Sequence, residues 1–220
     1  MARLKTAVLL SGRGTNLLAL IEDCAGPGAA AEIVAVISNV PGAVGLQRAE
    51  AAGIETRVID HNTFPDRESF EDDIHQCLQD FGVELVCLAG FMHILTAGFV
   101  ARWRDRLINI HPSLLPAYRG LDTHARVLAA GVRFTGCTVH FVRPEMDAGP
   151  IIVQAAVPVH ADDDAVSLAR RVLAAEHRIY PLALRLIAAR RVSVRDEVVT
   201  IDGAAAPEVA LVNPSDDTDA

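Results

Sequence analysis

Thr6-Ala-Val-Leu-Leu-Ser-Gly-Arg-Gly-Thr-Asn-Leu-Leu-Ala-Leu-Ile-Glu-Asp-Cys24 changes its periodicity halfway along. Thr6 to Ser11 is a continuous apolar run, the pattern of a parallel strand covered on both faces. From Asn16 to Cys24 the pattern is helical, and Gly26-Pro27-Gly28 stops it. Between them lies Gly12-Arg13-Gly14-Thr15-Asn16. A glycine-rich turn here lets backbone approach a ligand closely, and the free N–H groups opening the helix suit a phosphate-sized anion. The same residues could equally form a tight capped turn. A dinucleotide fingerprint fits less well, because Leu17 stands where the last glycine of G-x-G-x-x-G belongs and the next strand ends in Ser38-Asn39 instead of an acid.

The alternation continues. Ile33 to Ile37 reads as a strand, Val44 to Ala52 as a helix closed by Gly53, Thr56 to Ile59 as a strand, Arg67 to Phe81 as a helix closed by Gly82, and Leu85 to Ala89 as a buried strand. This rhythm predicts an α/β fold: a Rossmann-like, mostly parallel twisted sheet with helices on both faces and ligands at the carboxyl ends of its strands. Gly12, Gly90 and His111 all fall at such ends.

Leu107-Ile-Asn-Ile-His-Pro-Ser-Leu-Leu-Pro116 is a strand that stops at His111, because Pro112 cannot donate to a ladder. Asn109 and His111 share a face by the two-residue period. Leu115-Pro116 is a candidate cis peptide. Thr123 to Ala130 forms a short helix. Thr135 to Val142 alternates, and Ile151 to Val157 can return beside it, joined by a turn-rich loop from Arg143 to Pro150 that carries Asp147. His140 reads as a packed or hydrogen-bonded strand histidine.

Asp162-Asp163-Asp164 opens a long helix whose apolar stripe runs through Ala169, Leu173, Tyr180, Leu184 and Ile187, with Pro181 kinking or restarting it. Glu176 falls on that stripe, where a carboxylate needs a partner or a ligand. Val192 to Ile201 suggests a last strand pair with a turn at Asp202-Gly203. The C-terminal part therefore adds antiparallel strands and a long helix. Residues 1–203 read as one domain, in a phosphate-binding βαβ half (1–105) and a catalytic half that also faces the second ligand (106–203). The acidic tail 204–220 is expected to be disordered.

With 51% hydrophobic residues in 220 there is ample material for a core. The net charge of -8 disfavours nucleic acid and anionic membranes as partners. Cys24, Cys77, Cys87 and Cys137 form no C-x-x-C, so reduced thiols are expected. The eight histidines contain no H-E-x-x-H, so no metal is expected. No apolar run is long enough to span a bilayer and no cleavable leader is evident, which predicts a cytoplasmic protein.

An amide, an imidazole and a loop carboxylate suit acyl-type transfer through a tetrahedral intermediate. The Asn amide and a protonated ring donate to the oxyanion, the carboxylate favours the protonated ring, and the acceptor's own amine attacks.

Leu10-Ser-Gly-Arg-Gly-Thr-Asn16, Leu88-Ala-Gly-Phe-Met92, Asn109-Ile-His-Pro-Ser-Leu-Leu-Pro116, Gly136-Cys-Thr-Val-His-Phe-Val142, Met146-Asp-Ala-Gly-Pro150 and Glu176-His-Arg-Ile-Tyr-Pro181 together resemble the phosphoribosylglycinamide formyltransferases, within the 10-formyltetrahydrofolate-dependent formyltransferase family. The resemblance runs from Val8 to about Val194. It implies transfer of a formyl group from 10-formyltetrahydrofolate, as co-substrate, to the amine of 5'-phosphoribosylglycinamide in purine biosynthesis. It makes Asn109, His111 and Asp147 the catalytic trio: His111 as proton donor and oxyanion partner, Asn109 as second donor, Asp147 as the carboxylate behind the ring. Gly12, Arg13, Gly14, Thr15 and Asn16 match the segment that holds phosphate and ribose, and Glu176 a ribose contact. Arg67, Met92, His93, Ile94, Leu95 and Asn109 match folate-binding positions. His93 replaces the usual Arg of M-R-I-L, and Asp122 a histidine of G-L-H-T-H. Small-molecule substrates and a monomer or homodimer are implied.

The rival readings are a formyltetrahydrofolate deformylase, which usually carries an extra N-terminal domain whereas strand one begins here within about ten residues of Met1, and a noncatalytic nucleotide-binding module. Methionyl-tRNA formyltransferase fits less well, for want of a basic patch or an added β domain.

Overall fold

The computed structural model describes residues 2–214. Its first half alternates as the periodicity requires: β1 (Leu4–Leu10), α1 (Thr15–Ala25), β2 (Ala31–Ser38), α2 (Val44–Ala51), β3 (Thr56–Val58), α3 (Arg67–Asp80), β4 (Leu85–Leu88), α4 (Ala97–Arg102) and β5 (Leu107–His111). The second half adds α5 (Thr123–Ala130), β6 (Phe134–Phe141), β7 (Ile151–Pro158), α6 (Ala165–Ala188), β8 (Val192–Arg195) and β9 (Val198–Ile201). Strands β1 to β7 form one sheet in the order β3-β2-β1-β4-β5-β6-β7, and β8-β9 pair separately. Pairings from β3 through β5 are parallel, whereas β5-β6 and β6-β7 are antiparallel. This is the expected α/β architecture, with antiparallel strands added late.

The order reverses between β1 and β4, so the connections leaving these strands diverge and open a crevice at their carboxyl ends. Leu17 and Leu20 of α1 pack with Leu168, Val172 and Leu184 of α6 on one side of the sheet. Phe70, Ile74 and Leu78 of α3 pack with Phe99 and Trp103 on the other. Burial on both sides explains why β1 and β4 read as unbroken apolar runs.

Several local expectations shift. Helix α4 is unanticipated; Thr96 caps it by accepting from the Phe99 N–H at 3.2 Å, and buried Glu71 in turn accepts from the Thr96 N–H at 2.8 Å. Pro181 does not restart the last helix, which continues through it from Ala165 to Ala188. Burial of Ile179, Tyr180, Ala183 and Leu184 against the sheet outweighs the roughly 3 kcal/mol that an interior proline costs. The buried face passes through Leu168 and Val172 in place of Ala169 and Leu173, with Glu176 still on it. The hairpin turns at Asp196-Glu197, both at positive φ as a two-residue hairpin turn requires, and Asp202-Gly203 follows the second strand.

Leu115-Pro116 is cis. The four cysteines are unpaired, and burial pushes the Cys24 thiol up to about 11. No described helix is long and apolar enough to cross a membrane. Past Gly203, residues 204–214 form no helix or strand, and the Asn213 side-chain amide donates to the carbonyls of Arg133 and Val159 at 2.6 and 3.1 Å. The remainder of the expected disordered tail, 215–220, lies outside the described residues.

Candidate active site

The glycine-rich turn leaves β1 and enters α1 through Gly14, whose φ of 68° makes it a left-handed cap. No side chain caps the helix and no acid sits in its first turn, so its leading N–H groups stay open to an anion. The Gly45 N–H donates to the Gly12 carbonyl at 3.0 Å and ties the turn to α2. Gly12 and Arg13 are exposed, whereas Gly14 and Asn16 are buried.

The side-chain amide of Asn16 donates to Glu176 Oε2 at 2.8 Å, joining α1 to α6 across the sheet's carboxyl edge. Glu176 is buried, so the expected need for a partner is met by Asn16, and Asn16 Oδ1 remains buried with no protein partner. Burial pushes the Glu176 carboxyl above its ordinary range, and the Asn16 hydrogen bond opposes that rise. A carboxyl raised on folding favours the folded state most when protonated, and that advantage is lost as pH rises from the ordinary value of about 4.5 through the raised one. Glu176→Gln keeps an acceptor for Asn16 and removes the titration. Its thermal midpoint therefore falls less than that of the parent protein between pH 4.5 and 8, as calorimetry would check; parallel curves would refute the buried-carboxyl account.

Pro112 ends β5 directly after His111, leaving Asn109 and His111 at the strand's carboxyl end. Asp147 comes to them from the loop between β6 and β7, held at a φ of 50°. Its Oδ2 lies 3.4 Å from His111 Nδ1 and accepts from the Gly120 N–H at 2.9 Å. His111 Nε2 meets the Tyr118 carbonyl at 2.9 Å. Both ring nitrogens thus face acceptors, and a ring satisfies both only with a proton on each. The loop presenting that carbonyl is pinned by buried polar groups: Thr138 Oγ1 donates to the Ser113 carbonyl at 2.7 Å and accepts from the Leu115 N–H at 3.1 Å, while the Gln154 amide donates to the Leu115 carbonyl at 2.9 Å.

His140, a strand histidine by its sequence pattern, belongs to this group. Antiparallel register sets it opposite Asn109, on the same face. Its Nδ1 donates to the Phe141 carbonyl at 2.9 Å, leaving Nε2 to face the Asn109 amide nitrogen at 3.4 Å and Asp147 Oδ1 at 3.8 Å. Burial holds this ring below the usual imidazole range, hence neutral, so it accepts from Asn109 and orients the amide. Only the β5-β6 register reveals that role.

The positions expected to hold a second substrate form an apolar wall nearby. Met92 and Ile94 are exposed, while Leu95 packs into the core and can reach the crevice only by its backbone. Arg67 is exposed at the first turn of α3. His93 packs edge-on against Phe70, ring centroids 4.8 Å apart, and burial, with the charges of Arg67 and His61, keeps it below the usual imidazole range. Ser11, which the sequence reading did not single out, accepts from the Met92 N–H at 2.7 Å and donates to Asn39 Oδ1 at 2.6 Å. It thereby joins the anion turn to this wall. Exposed Leu121 and Met146 add apolar surface on the side of Asp147. Among the described residues, no cluster of three or more His, Cys, Asp or Glu side chains is placed to hold a metal ion.

Comparison with known proteins follows the same outline. Residues 4–184 match the formyl transferase family model. The chain is 54% identical over 192 residues to the trifunctional purine biosynthetic protein adenosine-3 of Gallus gallus, covering 87% of this chain but only 19% of that relative's length. It is 41% identical over 209 residues to the phosphoribosylglycinamide formyltransferase of Haemophilus influenzae, covering 95% of this chain and 99% of that one. Among solved structures, glycinamide ribonucleotide transformylase 1 from Symbiobacterium toebii superposes with a TM-score of 0.88 at 44% identity, over 90% of this chain and 94% of the other.

Proposed function

The chain belongs to the formyl transferase family, and we propose that it transfers the formyl group of 10-formyltetrahydrofolate to the amine of 5'-phosphoribosylglycinamide, a step of purine biosynthesis. The observation that carries this reading is the convergence of Asn109, His111 and Asp147 at one strand end, beside an uncapped helix N-terminus on one side and an apolar wall on the other.

The amine attacks the formyl carbon and its carbonyl oxygen becomes an oxyanion. Asn109 and the protonated His111 donate to that oxyanion, which replaces the Tyr118 carbonyl as acceptor for Nε2–H. Asp147 holds the opposite side of the ring and keeps its charge in place. The carbon–nitrogen bond to the folate then breaks, and the proton lost by the attacking amine ends on the departing folate nitrogen. No protein nucleophile takes part. Gly12 to Asn16 hold the phosphate, Asn16 and Glu176 meet the ribose hydroxyls, and Met92 and Ile94 flank the pterin while Arg67 supplies a cation at the rim. Within a single domain, residues 1–105 supply the phosphate turn and the apolar wall, and residues 106–203 supply the catalytic trio and Glu176. Only small-molecule substrates are involved, without nucleic acid, in a monomer or homodimer.

A deformylase would use the same trio to direct water. Incubating the protein with 10-formyltetrahydrofolate, with and without phosphoribosylglycinamide, separates the two. Loss of the formyl group that depends on the amine is expected, and equal loss without the amine would overturn the transferase reading.

A further inference from the structure

The loop carrying Asp147 is braced from outside the site. It leaves β6 at Val142 and Arg143 and returns through Gly149 and Pro150 to β7. Its base is closed by the Phe141 N–H, which donates to the Pro150 carbonyl at 2.9 Å. The Arg143 side chain, 8% exposed, is held at that base between two carboxylates: its Nε donates to Glu197 Oε2 at 2.5 Å and a terminal nitrogen donates to Asp105 Oδ1 at 2.7 Å. Arg104 donates to the other oxygen of Glu197. Glu197 sits at the tip of the β8-β9 hairpin, and its hydrogen bond from Arg143 holds its carboxyl below the usual range.

Gly149 leaves no room for a side chain between the Phe141 backbone and the Arg143 stem. A Cβ at Gly149 would lie 1.7 Å from the Phe141 carbonyl oxygen and 3.2 Å from Arg143 Cγ, so the two strands of the loop meet in direct contact. Gly149 is separated from Asp147 by Ala148 alone. The base of the loop that carries Asp147 is therefore anchored both by the Phe141–Pro150 hydrogen bond and by the ion pairs of Arg143. The hairpin tip thus holds Arg143, together with Arg104, through the two oxygens of Glu197.

We propose that the β8-β9 hairpin acts, through Glu197 and Arg143, as a strut that fixes the Asp147 loop against His111, which makes Arg143 a positioning residue for the reaction. This rests on the formyl-transfer reading. The test uses the full chain, with Arg143→Met and Glu197→Gln, each first checked for folding by circular dichroism. Arg143→Met lowers kcat by about tenfold, since small misplacements at an active site cost up to a hundredfold, while both KM values stay within about twofold. Glu197→Gln lowers kcat in the same direction by a smaller factor, and Arg143→Lys recovers part of the loss.

In an Asp147→Asn background, Arg143→Met adds no further loss, because the strut acts through that carboxylate. The His111 imidazole nitrogen resonances of Arg143→Met and Glu197→Gln move from their parent positions with no substrate present. An unchanged kcat in folded variants, or the same tenfold loss in the Asp147→Asn background, overturns the proposal. If Arg143→Met does not fold, Glu197→Gln decides on the same readouts, since it alters one partly exposed carboxylate. A parent protein that fails to transfer formyl overturns the functional reading instead, and the resonances still report whether the strut moves His111.

Discussion

His111→Ala lowers the turnover of formyl transfer by about two to three orders of magnitude, because a single oxyanion donor is worth about 2.7–4 kcal/mol in the transition state. The side chain is 8% exposed and both nitrogens are committed, one to Asp147 and one to the Tyr118 carbonyl. Removing it deletes the donor that the oxyanion takes over and leaves Asp147 with the Gly120 N–H as its close partner. Substrate binding rests mainly on the glycine turn and the apolar wall, so KM values change little while kcat collapses. Asn109→Ala gives a loss of the same order, and the double variant loses less than the product of the two, since both serve one developing charge. Steady-state kinetics on purified, folded protein decide the matter. Unchanged transfer in His111→Ala would sink the mechanism.

Gly14→Ala raises the KM for phosphoribosylglycinamide by between about ten- and a hundredfold, the cost of losing charge-assisted hydrogen bonds worth about 1.5–3 kcal/mol each. Gly14 sits at a φ of 68°, and a Cβ there would lie 2.8 Å from the Gly45 Cα. The obstacle is backbone, which cannot swing aside as a side chain would. The left-handed conformation adds about 1–2 kcal/mol of strain for a non-glycine residue. Both are relieved only if the turn moves off α2, carrying the open N–H groups of α1 away from the phosphate. The KM for the folate changes much less, which distinguishes a displaced anion cradle from general unfolding. Equal effects on both substrates would contradict the assignment of this turn to the phosphate.

Much of this arrangement is legible in the residues. The strand, turn and helix at Thr6 to Cys24, repeated through Ala89, lead to the parallel sheet, because continuous apolar runs and 3.6-residue stripes bury well only in that layering. Pro112 after His111 marks the strand end. Other features were not legible. Helix α4 is too short for a period to show, and its Thr96 cap depends on Glu71 from another helix. Pro181 reads as a break because the packing that carries the helix through it is tertiary. Leu95 shares its apolar character with Met92 and Ile94, and only packing separates the one in the core from the two that are exposed.

Asn109 and His111 are brought together by chain geometry alone, since alternate residues of one strand share a face whatever surrounds them. Asp147, His140, Arg143 and Asn16 each lie far along the chain from the partner they meet, His111, Asn109, Glu197 and Glu176 in turn, and reach it through a strand register, a loop closure or a helix docking. Those depend on the whole core condensing at once. Local periodicity carries information over a few residues, so it determines elements and faces. Distances such as the 3.4 Å from His111 to Asp147 are decided only when the antiparallel return of β6 and β7 places a loop over the end of β5.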